Sequence, residues 1–148
     1  ADEPNERAAA AFRDAAERER GHYRQVTELG GSADDPPADA LHDRLRGLDS
    51  TLPRVSAGLV GRPLVASRTL LQVINFFVNE GGTNAAETFR TLRSETDETA
   101  EHGAELTVEL CDTGVERATD AASEAIEVAY ADYADTLEGM GVDPKPVC

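Results

Sequence analysis

Apolar residues recur along this chain at alternating steps of three and four, which is the period of an amphipathic helix. One such series consists of Leu41, Leu45, Leu48, Leu52, Val55 and Leu59. A second, whose middle is small and polar, consists of Phe89, Leu92, Thr96, Thr99, Gly103, Leu106 and Leu110. A third consists of Val115, Ala118, Ala122, Ile126, Ala129, Tyr133, Leu137 and Met140. No stretch alternates apolar and polar residues as a half-buried strand does. The pattern therefore predicts an all-α fold.

Glycine and proline residues divide the chain into five predicted helical segments. We expect these segments at about 4–29, 39–60, 63–79, 84–111 and 114–139. Pro53 lies inside the second segment and predicts a kink or a break near residues 50–52, because proline removes a backbone donor. Gly61 and Pro63 are expected to separate the second segment from the third.

Long helices joined by short connections favour antiparallel neighbours. We therefore predict one domain, residues 1–148, folded as an up-and-down bundle of four to five helices. An acidic, proline-rich loop is expected at about 30–38 and a short tail at 141–148. The segment 63–79 is apolar apart from one narrow polar stripe, so we expect it to be largely buried, as the central helix or as a dimer seam.

The composition of the chain is strongly acidic and poor in lysine. The chain has 29 acidic residues, a net charge of −15 and no tryptophan, and Lys145 is its single lysine among 14 basic residues. Acidic surfaces with few lysines resemble those of proteins from halophiles that accumulate salt in the cytoplasm, where concentrated salt screens self-repulsion. A partner with a basic surface is the alternative explanation of the charge.

The same charge excludes some classes of function. No basic stripe is present that could neutralise phosphates, so we expect no nucleic-acid binding. The most apolar stretch, 64–78, still carries polar residues, so we expect no membrane span and a cytoplasmic location. No nucleophile–base arrangement or phosphate-binding loop is visible. Cys111 is expected to be a buried free thiol, too far along the bundle from Cys148 for an internal disulfide.

Two polar residues occupy positions of the first segment where apolar side chains are expected. The inward series of that segment is Phe12, Ala15, Glu19, His22, Val26 and Leu29. A Glu and a His three residues apart on an inward helix face have the spacing that binds iron or manganese inside four-helix bundles. The alternative is a hydrogen-bonded Glu–His pair at the end of the bundle, without a metal.

Glu95 and His102 flank the inward series of the fourth segment, and Glu98 points further outward. These residues form either a solvated face with routine ion pairs, or a site in which Glu95 and His102 join Glu19 and His22 across two helices. The predicted metal ligands are thus Glu19, His22, Glu95 and His102. A full di-metal site needs four helices that contribute inward carboxylates, and here the other three inward series contain none.

The stretch 80–90, with the sequence Glu-Gly-Gly-Thr-Asn-Ala-Ala-Glu-Thr-Phe-Arg, resembles the turn into a ligand-bearing helix of the rubrerythrins, in the ferritin-like superfamily. In that family a Phe precedes the Glu and His ligands by seven and ten residues. From Phe89 these offsets fall on two threonines, whereas from Phe12 they fall on Glu19 and His22. The resemblance implies a helical bundle and a carboxylate–histidine site for iron or manganese.

Three hypotheses of function follow from this sequence. The first is a non-enzymatic helical bundle that acts through helix-mediated protein–protein contacts, as a homodimer. The second is a ferritin-like, rubrerythrin-related protein with a single-metal or degenerate site. A third hypothesis is an adaptor whose acidic surface binds a basic protein.

Overall fold

The computed structural model describes residues 3–31, 39–111 and 113–143. The predicted loop at about 30–38 lies outside this part of the chain from residue 32 onward, and the predicted tail from residue 144 onward. The helices are α1 (Glu6–Glu28), α2 (Ala40–Arg46), α3 (Thr51–Ser56), α4 (Arg62–Asn79), α5 (Thr83–Leu110) and α6 (Val115–Gly139). Within the described ranges there is no strand, so the predicted all-α bundle is confirmed.

Local sequence explains most of the helix ends. The side chain of Asn5 caps α1 by accepting a hydrogen bond from the backbone N–H of Ala8 at 3.0 Å. The chain leaves α1, α4 and α6 through Gly30, Gly81 and Gly141, whose φ angles are 91°, 75° and 78°. Residues with a side chain rarely adopt these values, so glycine is the expected helix stop.

The second predicted segment, 39–60, is broken at residues 47–50, slightly before the predicted position near 50–52. Helix α2 ends at Arg46 and α3 begins at Thr51, which places Pro53 in the first turn of α3. Proline is tolerated there because the first backbone N–H groups of a helix have no partner inside it.

The predicted separation at Gly61 and Pro63 is wrong. A single π-helical turn, Ala57–Gly61, joins α3 directly to α4, so the chain is helical without interruption from 51 to 79. The N–H of Arg62 donates to the carbonyl of Ala57, five residues earlier. This wider turn lies immediately before Pro63, which cannot donate a backbone hydrogen bond of its own. We call residues 57–61 the π turn.

The centre of the fold is α3 with the π turn. The buried residues here are Val55, Ser56, Ala57, Leu59, Gly61 and Pro63. On one side, Val55 and Leu59 form a cluster with Ala8 of α1 and Leu106 of α5. On another side, Ala57 packs with Leu48, Ala121 and Ala125. The core is therefore divided by this helix and is built largely from small side chains.

The expectation that residues 63–79 form the largely buried helix is wrong. In α4 only Pro63, Ser67 and Ile74 are buried. The side chains of Leu64, Phe76 and Val78 are 44%, 59% and 51% exposed. Helix α4 packs mainly along α5, and these three large apolar side chains remain in contact with water.

Helices α4 and α5 form a hairpin that is held by an aromatic contact. The rings of Phe77 and Phe89 stack with their centroids 5.5 Å apart. Phe76 lies edge-on to Phe77, with 5.3 Å between the ring centroids. Such pairs contribute about 0.5–1.5 kcal/mol beyond the area they bury. Residues 80–82 form the tip of this hairpin.

Three helices approach the π turn at positions where one partner is a glycine. A methyl group on Gly103 of α5 would overlap the carbonyl oxygen of Leu59. One on Gly61 would lie 2.8 Å from the carbonyl oxygen of Ala122 in α6. Gly58 faces the ring of Phe12 in α1. The absence of a side chain on each glycine therefore determines how closely the helices pack.

Helix α6 is rotated relative to its predicted face. Its buried residues are Ala118, Ala121 and Ala125. Several residues of the predicted inward series are exposed instead, namely Val115, Ile126, Tyr133 and Met140. Alanine residues allow close contact with the π turn, so the small side chains, rather than the large ones, face the core.

We expect Gly103→Ala to destabilise the protein by about 2–3 kcal/mol, because the added methyl group overpacks a buried backbone contact. The matched control is Gly21→Ala in the middle of α1, where the nearest atom to an added methyl group would be 4.0 Å away. That change should stabilise the protein by about 0.5–1 kcal/mol through helix propensity. Chemical denaturation in molar KCl measures both, and equal stabilities of the two variants would contradict the packing described.

Candidate functional site

Three of the four predicted metal ligands lie together where α1 crosses α5. Nε2 of His22 is 2.8 Å from Oε2 of Glu95, which is a hydrogen-bond distance between the two helices. The imidazole is buried, with 8% of the residue exposed, whereas 38% of the Glu95 side chain remains exposed. The inward position predicted for His22 is therefore confirmed.

Glu19 lies on the opposite edge of the imidazole. Its Oε2 is 3.9 Å from Nδ1 of His22. Its other oxygen, Oε1, accepts a hydrogen bond of 2.8 Å from the guanidinium of Arg62 at the start of α4. The imidazole thus lies between two carboxylates, and one of these is paired with a cation.

Arg18 ties the same region of α1 to α5. Its guanidinium donates to the backbone carbonyl of Glu95 and, at 3.1 Å, to the carboxylate of Glu98. Glu98, expected to point outward, is indeed 54% exposed. Charge-assisted bonds of this kind position the two helices relative to each other more than they stabilise the fold, because the pair is open to water.

This geometry differs from that of a transition-metal site. A metal ion needs ligand atoms that converge on one point, whereas the two carboxylates approach opposite edges of the imidazole. With Glu95 as the acceptor, Nε2 carries a proton and is not free to bind a metal. Among the described residues, no group of three or more His, Cys, Asp or Glu side chains is arranged to hold a metal ion.

His102 does not join the cluster. It is exposed on α5, two turns beyond Glu95, and it shares no hydrogen bond or ion pair with any residue in the described ranges. Seven residues of helix separate these two side chains by about 10 Å along the axis. Of the four predicted ligands, only Glu19, His22 and Glu95 therefore lie together, and His102 lies apart from them.

A groove with a volume of about 710 Å³ lies between α1, α2 and the central helix. Its apolar lining includes Phe12, Leu45, Leu48 and Leu59, and its charged or polar lining includes Glu3, Arg13, Glu19, His42, Arg46, Arg54 and Arg62. We call it the α1–α2 groove. It meets the His22 cluster at the Glu19–Arg62 pair.

Two carboxylates at or beside the groove have a lowered pKa. Burial raises the pKa of Glu3, but hydrogen bonds from Thr51, from the backbone N–H of Asn5 and from Arg54 outweigh it and lower the pKa below its usual value. The pKa of Asp39 is lowered mainly because this carboxylate accepts the backbone N–H of His42 at the start of α2. Both groups are therefore held in their charged form.

The sequence analysis did not single out the arginines around His22 or those at the α1–α2 groove. Arg18 and Arg62 were not candidates, because an isolated arginine in a chain with this many ion pairs carries no positional signal. The available signal was composition, since almost all basic residues are arginine, which forms bidentate and buried pairs more readily than lysine.

Cys111 carries a free thiol and is half-buried rather than buried as expected. It follows α5 directly. Cys148 lies outside the described residues. In the described part of the chain, no helix has both the length and the apolar character that a bilayer span requires.

Comparison of the chain with protein-family models, with curated proteins and with solved structures gives no match.

A double-mutant cycle tests the bond between His22 and Glu95. We expect His22→Leu and Glu95→Gln to show a coupling of about 1 kcal/mol in the free energy of unfolding, because each change alone removes a charge-assisted hydrogen bond. The control cycle pairs Glu95→Gln with His102→Leu, which lies on the same helix without contacting Glu95. That cycle should be additive, and a coupling in it as large as in the first would refute the assignment.

Proposed function

We propose that this protein is a non-enzymatic helical bundle of a salt-rich cytoplasm that forms a homodimer through α4 and acts through helix-mediated contacts. The observation that carries the proposal is the exposure of three large apolar side chains on α4, Leu64, Phe76 and Val78. We define the α4 face as the exposed residues of this helix, namely Leu64, Arg68, Thr69, Gln72, Asn75, Phe76, Val78 and Asn79.

Exposure of large apolar side chains on α4 supports this proposal. Leu64, Phe76 and Val78 lie on a helix whose sequence is the most apolar of the chain. Single exposed apolar residues are ordinary, but several on one helix commonly mark a protein contact. Aromatic residues and arginine are enriched in the centres of interfaces, and the α4 face offers Phe76 and Arg68.

Charge favours a second copy of the chain as the occupant of this face. Helix α4 contains no acidic residue, although the chain has 29. Two molecules of net charge −15 repel each other wherever their carboxylates meet, and this repulsion is least where α4 meets α4. High salt screens the remaining repulsion and strengthens apolar contact, so association fits the proposed environment.

The hairpin of α4 and α5 also suits a symmetric contact. A two-helix layer covers each helix on one side only, whereas four helices enclose a core. Two hairpins related by a two-fold axis would form a four-helix arrangement from identical surfaces. The dimer would thereby bury the apolar residues that the isolated chain leaves in water.

We expect the protein to be a dimer in about 2–3 M KCl, and we expect Phe76→Glu to raise the dissociation constant at least about tenfold, because it places two carboxylates in the contact. Gln72→Glu, which removes no apolar group, should act in the same direction. The matched control is Val108→Glu on α5, where the native side chain is 74% exposed. Sedimentation equilibrium measures all four proteins.

A monomeric wild-type protein at high concentration in molar salt would contradict the proposal. So would a dimer that Val108→Glu disrupts as strongly as Phe76→Glu does. Circular dichroism confirms that each variant remains helical before its oligomeric state is compared.

The second candidate is a ferritin-like metal-binding protein, favoured by the proximity of Glu19 and Glu95 to His22. In this proposal Nδ1 of His22 and the carboxylate of Glu19 would bind iron or manganese, after Glu19 exchanges Arg62 for the metal. Imidazole nitrogen and carboxylate oxygen suit these ions. The guanidinium of Arg62, which bonds to Glu19 at 2.8 Å, would compete with the metal.

Titration of the purified protein with Fe²⁺ under anaerobic conditions, and with Mn²⁺, separates the two functions. The metal proposal requires one ion per chain, lost in His22→Leu and bound more tightly in Arg62→Met, because the competing cation is removed. If no ion binds to wild-type protein or to Arg62→Met, this second function is excluded and the dimer proposal is untouched.

A further inference from the structure

We propose that the second half of α6 binds a basic amphipathic helix of a partner protein. The surface for this contact is an apolar row on α6 with acidic residues on both sides of it. We call the row the α6 seam, and it consists of Ile126, Tyr130, Tyr133, Leu137 and Met140. The proposal goes beyond the α4 dimer and does not depend on it, because it concerns a different helix.

The residues of the α6 seam form one continuous stripe. They follow one another at steps of four, three, four and three, and Met140 is the residue directly after the helix. At about 3.6 residues per turn, the five side chains fall within an arc of about 80° and extend about 21 Å along the axis. Two helices that pack along each other use this spacing. The α6 seam therefore has the form of one half of a helix–helix contact.

No other helix buries the α6 seam. The buried alanines of α6 lie about 100° away from it around the helix. In α6, which is described throughout, no residue from Ile126 onward is buried. Four residues of the seam are between 38% and 65% exposed, and Leu137 is half-buried. The side of α6 that faces the core is also open in this half, since Asp132 and Thr136 continue the line of the buried alanines and are exposed.

Acidic residues border the α6 seam. Residues 126–140 contain four acidic side chains and no basic one. Glu127 and Glu138 flank the seam on one side and Asp132 on the other, while Asp135 points away from it. All four are exposed, and none forms an ion pair among the residues that the structure describes. Their negative charge is therefore not compensated within the chain.

The combination of an exposed apolar row with unpaired acidic residues distinguishes α6 from the other long helices. Helix α1 carries five arginines against five acidic residues, and α4 carries no acidic residue. Helix α5 has seven acidic residues, but three of them pair with side chains of α1. On α5, likewise described in full, Val108 is the single large apolar side chain that is exposed. The acidity bordering the α6 seam thus accompanies an apolar surface, which is not the case on α5.

Charge selects the occupant of the α6 seam. A second copy of the chain would bring four further carboxylates to this surface, so two α6 seams repel each other. A helix with lysine or arginine beside its own apolar row has the complementary charge, and flanking charges of this kind determine which helices pair. Tyr130 and Tyr133 also offer ring faces on which a guanidinium or ammonium group can pack. The partner with the fitting chemistry is therefore a cationic amphipathic helix.

The apolar and the charged parts of this surface have different effects in concentrated salt. At about 1 M salt the Debye length is about 3 Å, so charges act only on groups in direct contact. Salt strengthens the burial of apolar surface under the same conditions. The α6 seam would thus supply most of the affinity, and the acidic residues would determine which helix is bound.

Fluorescence anisotropy with labelled synthetic peptides tests the proposal on the full chain. The probe is a helical peptide of about three heptads with leucine at a and d and lysine at e and g. One control peptide has glutamate at every lysine position, and another has the composition of the probe in scrambled order. We expect one probe to bind per chain, at least about tenfold more tightly than either control peptide, because the probe alone matches both the apolar row and the charge.

Protein variants locate the contact on α6. Tyr133→Ala and Leu137→Ala should each weaken binding of the probe at least about fivefold, whereas Val108→Ala on α5 should change it less than about twofold. The double variant Glu127→Gln with Glu138→Gln should weaken binding at least about threefold at low salt. Its matched control, Glu101→Gln with Glu105→Gln on α5, has the same net charge and should bind the probe as wild-type protein does. Circular dichroism verifies that every variant remains helical.

Several results would overturn the proposal. Either control peptide could bind as tightly as the probe, or the two double variants could weaken binding equally, and both results would mean attraction to the acidic chain without a defined site. Tyr133→Ala could instead raise the dissociation constant of the wild-type dimer, which would make a second copy the occupant of the seam. Absence of probe binding would refute the α6 contact and leave the α4 dimer untouched, because the dimer is measured without the peptide.

Discussion

The close packing of α5 and α6 against the π turn is the contact on which the rest of the fold depends. Gly103 lies directly over the carbonyl of Leu59, and Gly61 lies against the backbone of α6. Because these contacts join backbone to backbone, they leave little room for adjustment. The core is accordingly made of alanine and a few leucine and valine side chains, and it needs neither tryptophan nor many aromatic residues.

A core of small side chains leaves the large ones elsewhere, and this explains why α4 is the most apolar helix and yet is poorly covered. The segment 51–61 has the small residues that three helices require for close approach, so it becomes the centre. Helix α4 packs mainly along α5 and makes fewer contacts with the π turn and α6. In the proposed dimer a second copy of the chain would cover this apolar surface, and the lack of acidic residues on α4 would keep the repulsion between the two copies low.

Arginine side chains form contacts that join neighbouring helices on this acidic surface. Arg18 and Arg62 join α1 to α5 and α4 around His22, while Arg13 and Arg46 border the α1–α2 groove. Exposed pairs of this type add little stability, and molar salt weakens them further. Their larger effect is to fix the positions of neighbouring helices relative to one another. One of these pairs gives Glu19 the guanidinium of Arg62 as its partner.

The order of elements was largely determined by the sequence, because apolar spacing and helix-stopping glycines act locally. It predicted the all-α fold, the break before Pro53 and the inward position of His22. It also named Glu19 and Glu95 as candidate ligands of one site. The tertiary structure decided which helix is central, since burial depends on neighbours and not on the apolar content of one segment. It also decided that His102 stays exposed and that Arg62 pairs with Glu19, because such contacts arise only when distant helices pack.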